Sequence, residues 1–480
     1  MKKYNANKKE FYTLIILGLL FIGFTSPDPV KRKYSISQRW LTYPSESILF
    51  QPTAYESGIK SKPDKTLNID INEQKVYQEM DGFGFTLTGG SARLINQMST
   101  TNKKELLYEL FSATEGIGIS YLRLSIGASD LSDSVFTYND MPPGKTDPQL
   151  KQFNMDMERV HLIPVLKEIL AINPEIKIMG SPWSAPAWMK TNESAIGGSL
   201  RQEYFEAYST YFVRYIEEMQ KNNIHIDAIT VQNEPLHPGN NPSMYMTAEQ
   251  QAMFIKNNLG PALKKANLNT KIIIYDHNAD RIDYPLEVLS DSEAYPYIDG
   301  TAFHLYGGNI EDISKVHTAF PDKNLYFTEQ WIGAPGNLEE DLKWHTENLI
   351  IGATRNWCKT VLEWNLAADK YQQPHTDQGG CTRCLGAITI DGDSVLRNPA
   401  YYIVAHASKF VQPGSVRIAT KMLKELPNVA FKTHTGSLVL IVLNKSNKAT
   451  DFNITAGNST ISASLEAGAV ASYILTPDSK

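Results

Sequence analysis

Eight short runs of strand-forming residues alternate with helix-forming stretches between residues 81 and 369, and this alternation constrains the fold more than any other feature. Strands joined by helical crossovers pair in parallel, which leaves a closed (β/α)8 barrel or a doubly wound open sheet. Eight repeats are the number that an α/β TIM barrel requires, so the count favours the (β/α)8 barrel. The runs are DGFGFTL at 81–87, ISYLRLSIG at 119–127, IKIMGSPW at 176–183, IDAITVQNE at 226–234, KIIIYDHN at 271–278, GTAFHLY at 300–306, NLYFTEQW at 324–331 and TVLEWNLA at 360–367.

Polar side chains stand where several of these runs give way to a loop, among them Asp276, His304 and Glu329. In a TIM barrel these strand ends converge on one face, which holds the active site. The fourth run ends at Glu234, because the next residue is Pro235 and proline has no N–H for a strand ladder. A carboxylate at the exit of a buried strand is costly unless it is paired or used.

The two flanks of the chain differ from this alternating region. From residue 415 onward, short alternating strands separated by Gly, Asn and Ser predict a small antiparallel β-sandwich. The segment 33–78 is also β-rich, and we expect it to add strands to the same side domain. The resulting division places N-terminal sandwich strands at 33–78, the barrel at 79–395 and the C-terminal sandwich at 396–480.

Composition and charge restrict the class of protein. The chain of 480 residues is 42% hydrophobic and 20% charged, with a formal net charge of −6. No block of Lys and Arg occurs outside the N-terminus, whereas a nucleic-acid-binding protein needs a basic face. We therefore predict that nucleic acid is not a partner of this chain.

The first residues have the pattern of an export signal. Four lysines within the first nine residues precede an apolar run at 12–24, and small residues follow that run. The run is shorter than the roughly 20 residues that a membrane-spanning helix needs, although an uncleaved N-terminal anchor is the alternative. We expect a signal peptide at 1–26, no membrane span in the mature chain, and a periplasmic, cell-surface or extracellular location.

Two strand-end glutamates, Glu234 on the fourth run and Glu329 on the seventh, indicate glycoside hydrolysis. One carboxyl group protonates the leaving oxygen while the other attacks the anomeric carbon or activates water. A separation of about 5–5.5 Å gives retention and one of roughly 6.5–9.5 Å gives inversion. A single strand-end glutamate would suggest a buried ion pair, but two on separate strands favour catalysis. Asn233 could donate to a sugar 2-hydroxyl; a turn-forming asparagine is the alternative.

Several motifs in this order resemble glycoside hydrolase family 30, to which the glucosylceramidases belong. They are DGFGFTLTGG, YLRLSIGASDLS, GSPWSAPAWMKTN, VQNEP and FTEQW, and the match extends from about residue 81 to residue 410. The resemblance implies a (β/α)8 barrel with a side β-domain and retaining hydrolysis of β-glycosides. It also implies that Glu234 is the acid/base and Glu329 the nucleophile, which requires a raised pKa at Glu234.

The same resemblance implies roles for residues around the nucleophile. Asp130 would bind sugar hydroxyls, and Arg123 would keep Glu329 ionised through a charge-assisted hydrogen bond. His304 and Tyr306 would orient Glu329 and stabilise the leaving charge, although a structural histidine is an equal alternative for His304.

Three tryptophans would form apolar walls for the faces of the sugar. They are Trp183, Trp331 and Trp364, and ordinary core packing is the alternative for each. Two carboxylates suffice for this chemistry, so we expect no cofactor and no metal.

The cysteines are Cys358, Cys381 and Cys384. In an exported protein the close pair Cys381 and Cys384 is a candidate disulfide, which leaves Cys358 free and buried. Buried free thiols are the second interpretation. A zinc site is the third, but zinc needs about four ligands and only His375 and Asp377 lie nearby in sequence.

The loop QQPHTDQGGCTRCLGAITID at 372–391 resembles the microbial branch of the family that cleaves β-1,6-glucan. This loop favours a secreted glucan hydrolase that acts on β-1,6-linkages. A glucosylceramidase-like exo-β-glucosidase is the alternative within the enzyme class. A non-catalytic carbohydrate-binding protein on an enzyme-like barrel is the alternative from another class, although binding alone does not require both glutamates.

Overall fold

Three strands precede the barrel and occupy the part of the N-terminal flank that the sequence predicts to be β-rich. The structure is a computed structural model that describes residues 32–54 and 67–478. The predicted signal peptide at 1–26 therefore lies outside the described residues. The three strands are β1 (Tyr34–Tyr43), β2 (Ile48–Thr53) and β3 (Asn68–Glu79).

Eight parallel strands follow and close into a barrel. The next strands along the chain are β4 (Gly82–Thr86), β5 (Tyr121–Ser125), β6 (Lys177–Ser181), β7 (Ala228–Thr230), β8 (Lys271–Asn278), β9 (Ile298–His304), β10 (Asn324–Glu329), β11 (Ile332–Gly333) and β12 (Cys358–Asn365). All of them except the short β11 belong to the barrel, and β12 pairs with both β10 and β4, which closes the ring. The predicted TIM barrel is confirmed, and a closed ring excludes the open sheet.

Helices connect the barrel strands and cover the outside of the ring. They are α1 (Gly89–Gln97), α2 (Thr100–Phe111), α3 (Asp156–Val160), α4 (Leu162–Ile172), α5 (Phe205–Lys221), α6 (Ala248–Phe254), α7 (Gly260–Lys265), α8 (Asp283–Ser290), α9 (Ser314–Ala319), α10 (Leu338–His345) and α11 (Pro399–Ser408). In α5 the buried Tyr208, Phe212, Tyr215 and Met219 recur at three- and four-residue spacing, which places them on one face. Within the described residues, no helix combines the length and apolar character needed to cross a membrane.

The C-terminal flank forms the side domain together with the N-terminal strands. Four short strands precede the side domain: β13 (Ala367–Ala368), β14 (Cys384–Leu385), β15 (Ile388–Asp391) and β16 (Ser394–Arg397). The C-terminal strands of the side domain are β17 (Val416–Thr420), β18 (Asn428–Lys432), β19 (Leu438–Leu443), β20 (Thr450–Ala456), β21 (Ser459–Leu465) and β22 (Val470–Pro477). Nine strands follow the order β2–β1–β22–β19–β18–β17–β3–β20–β21. The Tyr34 N–H of β1 donates to Ser459 Oγ of β21 at 2.8 Å, so β21 at one end of this order meets β1 near the other end, around one core. The predicted sandwich from both chain ends is confirmed.

Helix α11 belongs to the barrel layer. Its buried side chains, among them Ile403 and Val404, form part of the core that surrounds the barrel strands. His406 on the same helix contacts Thr42 and Ser472 of the sandwich at 2.8 Å each, so α11 also forms the junction between the two domains. The barrel layer therefore continues past residue 395, where the sequence analysis placed its boundary.

A carboxyl group is buried beside the tyrosines of α5. Glu158 in α3 is 4% exposed, and its Oε1 accepts a hydrogen bond from the Tyr138 hydroxyl at 2.9 Å. Burial raises the pKa of Glu158 to about 7, and the Tyr138 bond opposes this only in part. The folded protein therefore favours the protonated carboxyl group at this position.

We expect Glu158→Gln to reduce the loss of stability at alkaline pH. The stability linked to Glu158 is fully present below its ordinary pKa of about 4.5 and is lost as the pH rises through about 7. This loss amounts to roughly 3 kcal/mol. Thermal unfolding at pH 5 and pH 8 should show a smaller fall in Tm for Glu158→Gln than for the wild type. The exposed α2 variant Glu105→Gln should behave as the wild type, and an equal fall in all three proteins would contradict the assignment.

Candidate active site

The barrel interior has an apolar layer followed by a mostly polar one. The apolar layer takes one residue from each of seven strands: Tyr121, Met179, Ala228, Ile273, Ala302, Tyr326 and Leu362. Side chains on a strand return to the same face every second residue. The next layer therefore begins two residues later on six of these strands, at Arg123, Ser181, Thr230, His304, Thr328 and Trp364.

Strand β8 departs from this period through a β-bulge. Two residues after Ile273 comes Tyr275, but the pairing of β8 with β9 shifts register between Tyr275 and His277. Tyr275 and Asp276 have φ angles of 71° and 60°, which non-glycine residues seldom adopt. The extra residue turns the carboxylate of Asp276 toward Arg123.

Arg123 is the centre of a buried charge network. Its Nη1 donates to Glu329 Oε2 at 2.6 Å. Its Nη2 donates to Asn233 Oδ1 at 2.6 Å and to Asp276 Oδ2 at 2.8 Å. Burial acts to raise the pKa of Asp276, but the charge of Arg123 and the bond from His304 hold it well below its usual range. The ionised Asp276 therefore fixes the orientation of both Arg123 and His304.

The two predicted glutamates face each other next to this network. One carboxylate oxygen of Glu234, one of Glu329 and a ring nitrogen of His304 all lie within 4.8 Å of one another. The Nδ1 atom of His304 is 3.0 Å from Glu234 Oε1 and 3.8 Å from Glu329 Oε1. The Tyr306 hydroxyl donates to Glu329 Oε1 at 3.0 Å. Both oxygens of Glu329 are therefore acceptors of hydrogen bonds, as an ionised carboxylate requires.

Glu234 lies in a strained turn beyond the end of β7. This strand ends at Thr230, earlier than predicted, and Glu234 has a φ of 44°. Its N–H donates to the carbonyl oxygen of Asp276 at 3.0 Å, and its own carbonyl accepts from the His237 N–H at 2.9 Å. A backbone conformation of this kind costs about 1–3 kcal/mol and persists where the surroundings fix it. The two backbone bonds fix it here.

The sequence analysis expected a raised pKa at Glu234, but in the structure the pKa is lowered at Glu234 and raised at Glu329. Burial acts to raise the pKa of Glu234, but the hydrogen bond and the positive charge of His304 outweigh burial and lower it. Burial raises the pKa of Glu329 against the charges of His304 and Arg123. The predicted elevation of the Glu234 pKa is therefore wrong, because the sequence does not reveal that His304 donates to this carboxylate.

The carboxylates around His304 raise the pKa of its imidazole ring. Burial acts to lower the pKa of His304, but the charge of Glu329 and the bonds to Asp276 and Glu234 raise it to about 9. At neutral pH both ring nitrogens therefore carry protons, and Nδ1–H points to a Glu234 oxygen 3.0 Å from the nitrogen. His304 and Glu234 are therefore coupled through one proton.

A cavity of about 350 Å³ opens at the two glutamates. Its lining is formed by Asp130, Glu234, His237, Asn240, His277, Asn278, Tyr306, Glu329, Trp331, Trp364, Cys381 and Cys384. Six of the predicted site residues and both predicted disulfide cysteines are in this lining. The other predicted site residues are Arg123, Trp183, Asn233 and His304, and all four are buried outside the lining. Arg123, Trp183 and His304 contact lining residues, and Asn233 accepts a hydrogen bond from Arg123.

The sequence analysis expected Trp183 to form a wall of the cavity, but the structure places this residue behind the wall. Its ring is 1% exposed and stacks on Trp364, with 5.2 Å between the ring centroids. The guanidinium of Arg123 lies over Trp183 at 4.8 Å from the ring centroid. Trp183 therefore supports Trp364 and Arg123, while Trp331 and Trp364 reach the cavity.

A disulfide joins Cys381 to Cys384 in the loop after β12. Cys384 belongs to β14, which pairs with β11 at Gly333, just after Trp331. The disulfide loop is therefore held against the end of β10, next to the tryptophans. Cys358 is a buried free thiol at the start of β12.

Asp130 lines the cavity and has one buried oxygen without a partner. The residue is 6% exposed, and its Oδ1 has no hydrogen-bond partner among the described residues. Burial raises the pKa of Asp130 to about 8, and the charges of Glu329 and Glu234 add to the shift. A protonated carboxyl group can both donate to and accept from a hydroxyl group, which suits a sugar ligand.

The spacing of Glu234, His304 and Glu329 would also allow them to approach a metal ion. Their facing atoms are already joined by hydrogen bonds, and the guanidinium of Arg123 places positive charge beside Glu329. Hydrogen bonding therefore accounts for the arrangement, and two-carboxylate chemistry needs no metal.

The sequence analysis missed part of the site. Asp276 was noted only as a strand-end residue, and its place between Arg123 and His304 depends on the β8 bulge. His237, Asn240, His277 and Asn278 were not singled out, although all four line the cavity. The available signal was the polar run after the apolar part of β8 and the residues that follow Glu234.

Comparison with known proteins identifies the family of the chain. The model of the glycosyl hydrolase family 30 TIM-barrel domain matches residues 80–411, and the model of the family 30 β-sandwich domain matches residues 414–473. An endo-1,6-β-D-glucanase of Aspergillus fumigatus is 35% identical over 370 residues, which cover 73% of this chain and 74% of the relative. A putative glucosylceramidase of Caenorhabditis elegans is 30% identical over 411 residues, which cover 80% of this chain and 78% of the relative.

A solved structure is similar over nearly the whole fold. An endo-β1,6-glucanase superposes with a TM-score of 0.84 and 35% sequence identity, covering 92% of this chain and 99% of that protein. The similarity therefore extends over both domains of the chain. The chain belongs to glycosyl hydrolase family 30.

Proposed function

We propose that this protein hydrolyses β-1,6-linked glucan with retention of configuration, with Glu329 as nucleophile and Glu234 as acid/base. The observation that carries the mechanism is that one carboxylate oxygen of Glu234 and one of Glu329 lie within 4.8 Å of each other. This separation corresponds to the retaining class, because inverting enzymes keep roughly 6.5–9.5 Å for a water molecule. The endo-1,6-β-glucanase relatives at 34–35% identity support the choice of linkage.

In the first step, a Glu329 oxygen attacks the anomeric carbon of the sugar. The bond from that carbon to the leaving oxygen breaks, and the leaving oxygen takes the proton shared by Glu234 and His304. The product is a glycosyl ester on Glu329, which no longer carries a negative charge. Because that charge is the largest influence that raises the pKa of His304, the histidine releases its proton more readily as the ester forms.

In the second step, the ionised Glu234 accepts a proton from a water molecule while the water oxygen attacks the anomeric carbon. The ester bond breaks, Glu329 leaves as a carboxylate, and the sugar is released with its original configuration. Arg123 and Tyr306 then donate again to the restored charge of Glu329. Two inversions at one carbon give overall retention.

Export of the enzyme is part of the proposal. The Cys381–Cys384 disulfide lies in the cavity lining and suits an oxidising compartment. The lysine-rich, then apolar sequence at 1–26 supplies a signal of the required kind. Detection of mature protein that lacks this segment outside the cytoplasm would support export, and a cytoplasmic full-length chain would contradict it.

The test of the function is a panel of linkages followed by proton NMR. The purified protein should release oligosaccharides from a β-1,6-glucan but not from β-1,3- or β-1,4-glucans. The first product seen by NMR should be the β-anomer. An initial α-anomer would contradict retention, and glucose released only from a lipid β-glucoside would favour the glucosylceramidase-like alternative. Tight glucan binding without any product would favour a binding protein.

A further inference from the structure

The cavity has two chemically different halves. Trp364 and the Cys381–Cys384 disulfide give one half an apolar character. The other half lies on the side of Glu234 and is polar, with His237 and Asn240 from the loop after β7 and His277 and Asn278 from β8. Strands β7 and β8 are neighbours in the barrel, so these side chains form one continuous surface. The mechanism proposed above uses none of them.

His277 is the most informative residue of the polar half. It is 7% exposed, and its Nδ1 has no hydrogen-bond partner among the described residues. Its Nε2 lies 3.9 Å from Glu234 Oε1, beyond hydrogen-bond distance. Burial lowers the pKa of His277 to about 4, so the ring is neutral at working pH and has one donor and one acceptor nitrogen. His277 lines the cavity, and a buried polar atom that lacks a partner requires an explanation, which a ligand hydroxyl would supply.

We propose that His277, together with His237 and Asn240, forms the leaving-group subsite and binds hydroxyl groups of the sugar on the far side of the cleaved bond. The proposal rests on the proposed function and extends it to the second sugar. Glu234 is the residue that protonates the leaving oxygen, so polar groups that line the cavity beside it are placed to contact the leaving group. The neutral imidazole can bind a hydroxyl without adding a charge that would disturb Glu234.

The chemistry of a β-1,6-linked leaving group fits this surface. Such a glucose is attached through its 6-oxygen, so its 2-, 3- and 4-hydroxyls remain free to form hydrogen bonds. A site whose polar groups bind hydroxyls discriminates strongly against a ligand that leaves those groups unpaired. A lipid or aryl leaving group has no hydroxyl for His277, whereas the second glucose does. The polar half therefore selects a sugar leaving group.

The test compares two substrates that share the same two-glucose donor. β-1,6-Glucotriose releases glucose as its leaving group, and 4-nitrophenyl β-gentiobioside releases nitrophenol. We expect His277→Ala to lower kcat/KM for the triose by about tenfold or more, since one buried hydrogen bond is lost. The same variant should lower kcat/KM for the nitrophenyl substrate severalfold less. Asn240 is half-buried, and Asn240→Ala should likewise lower kcat/KM for the triose more than kcat/KM for the nitrophenyl substrate.

A matched control is His225→Ala. The His225 side chain is 64% exposed, and the residue precedes β7, so it lies at the end of this strand that is opposite to the cavity. Both of its kcat/KM values should equal those of the wild type. Equal losses on both substrates for His277→Ala and Asn240→Ala, or no loss on either, would overturn the subsite. If His277→Ala fails to fold, as shown by circular dichroism, the ratio for Asn240→Ala decides.

Transfer to an added sugar gives a second readout. The glycosyl-enzyme formed from the nitrophenyl substrate partitions between water, methanol and glucose as acceptors. We expect His277→Ala to lose transfer to glucose while its transfer to methanol persists, and parallel losses would count against the subsite. A wild type inactive on both substrates would instead overturn the proposed function itself, so the two failures are distinguishable.

Discussion

Glu329→Gln is expected to reduce kcat by about 10⁴-fold or more while the protein remains folded. The amide has nearly the same shape as the carboxylate but is a poor nucleophile, so the glycosyl ester cannot form. The loss should be similar for activated and unactivated substrates, because both require the attack on the anomeric carbon. Steady-state kinetics with β-1,6-glucan and with a nitrophenyl glycoside measure the effect.

Glu363→Gln provides the matched control for this variant. Glu363 is another buried glutamate on a barrel strand and pairs with His345 at 2.7 Å, but it is not part of the cavity lining. This change should lower Tm by weakening the buried hydrogen bond to His345 and leave kcat within a few-fold of the wild type. Mass spectrometry of the wild type with a 2-fluoro glycoside should place the trapped sugar on Glu329. A trapped sugar on another residue would refute the assignment.

The alternation of strands and helices made the barrel predictable from the sequence. Each strand carries enough apolar residues to identify it, and the motifs locate Glu234 and Glu329 at the ends of two of them. Because the barrel brings all strand ends to one face, both carboxylates had to approach each other. The fold class and the position of the two glutamates therefore follow from local pattern and topology alone.

Other features of the site depend on contacts between distant strands, which local pattern does not encode. Asp276 points into the barrel only because β8 has a bulge, and the register shift that defines the bulge is a property of its pairing with β9. The pKa of Glu234 depends on a hydrogen bond from His304, which is 70 residues away in the chain. The unpaired nitrogen of His277 likewise becomes visible only once its surroundings are known.

Glu234→Ala is expected to reduce kcat for glucan by about 10³–10⁴-fold, because the leaving sugar then departs without a proton. A nitrophenol leaves without protonation, so formation of the glycosyl-enzyme from a nitrophenyl glycoside should be slowed far less. Breakdown of that intermediate should become limiting, since no base activates water. Added azide fits the space of the removed carboxylate and attacks the anomeric carbon, which releases Glu329 as a carboxylate. Burst kinetics with and without azide measure both effects.

The configuration of the azide product decides which glutamate has which role. Azide that attacks the ester on Glu329 of the Glu234→Ala variant must give the β-glycosyl azide, because two inversions have occurred. If Glu234 were the nucleophile instead, azide would replace it directly and give the α-glycosyl azide by a single inversion.

The pH profile adds a further constraint, because the rate on glucan should fall as alkaline pH removes the proton shared by His304 and Glu234. That alkaline fall should disappear for the activated substrate in Glu234→Ala, since its leaving group does not use the proton.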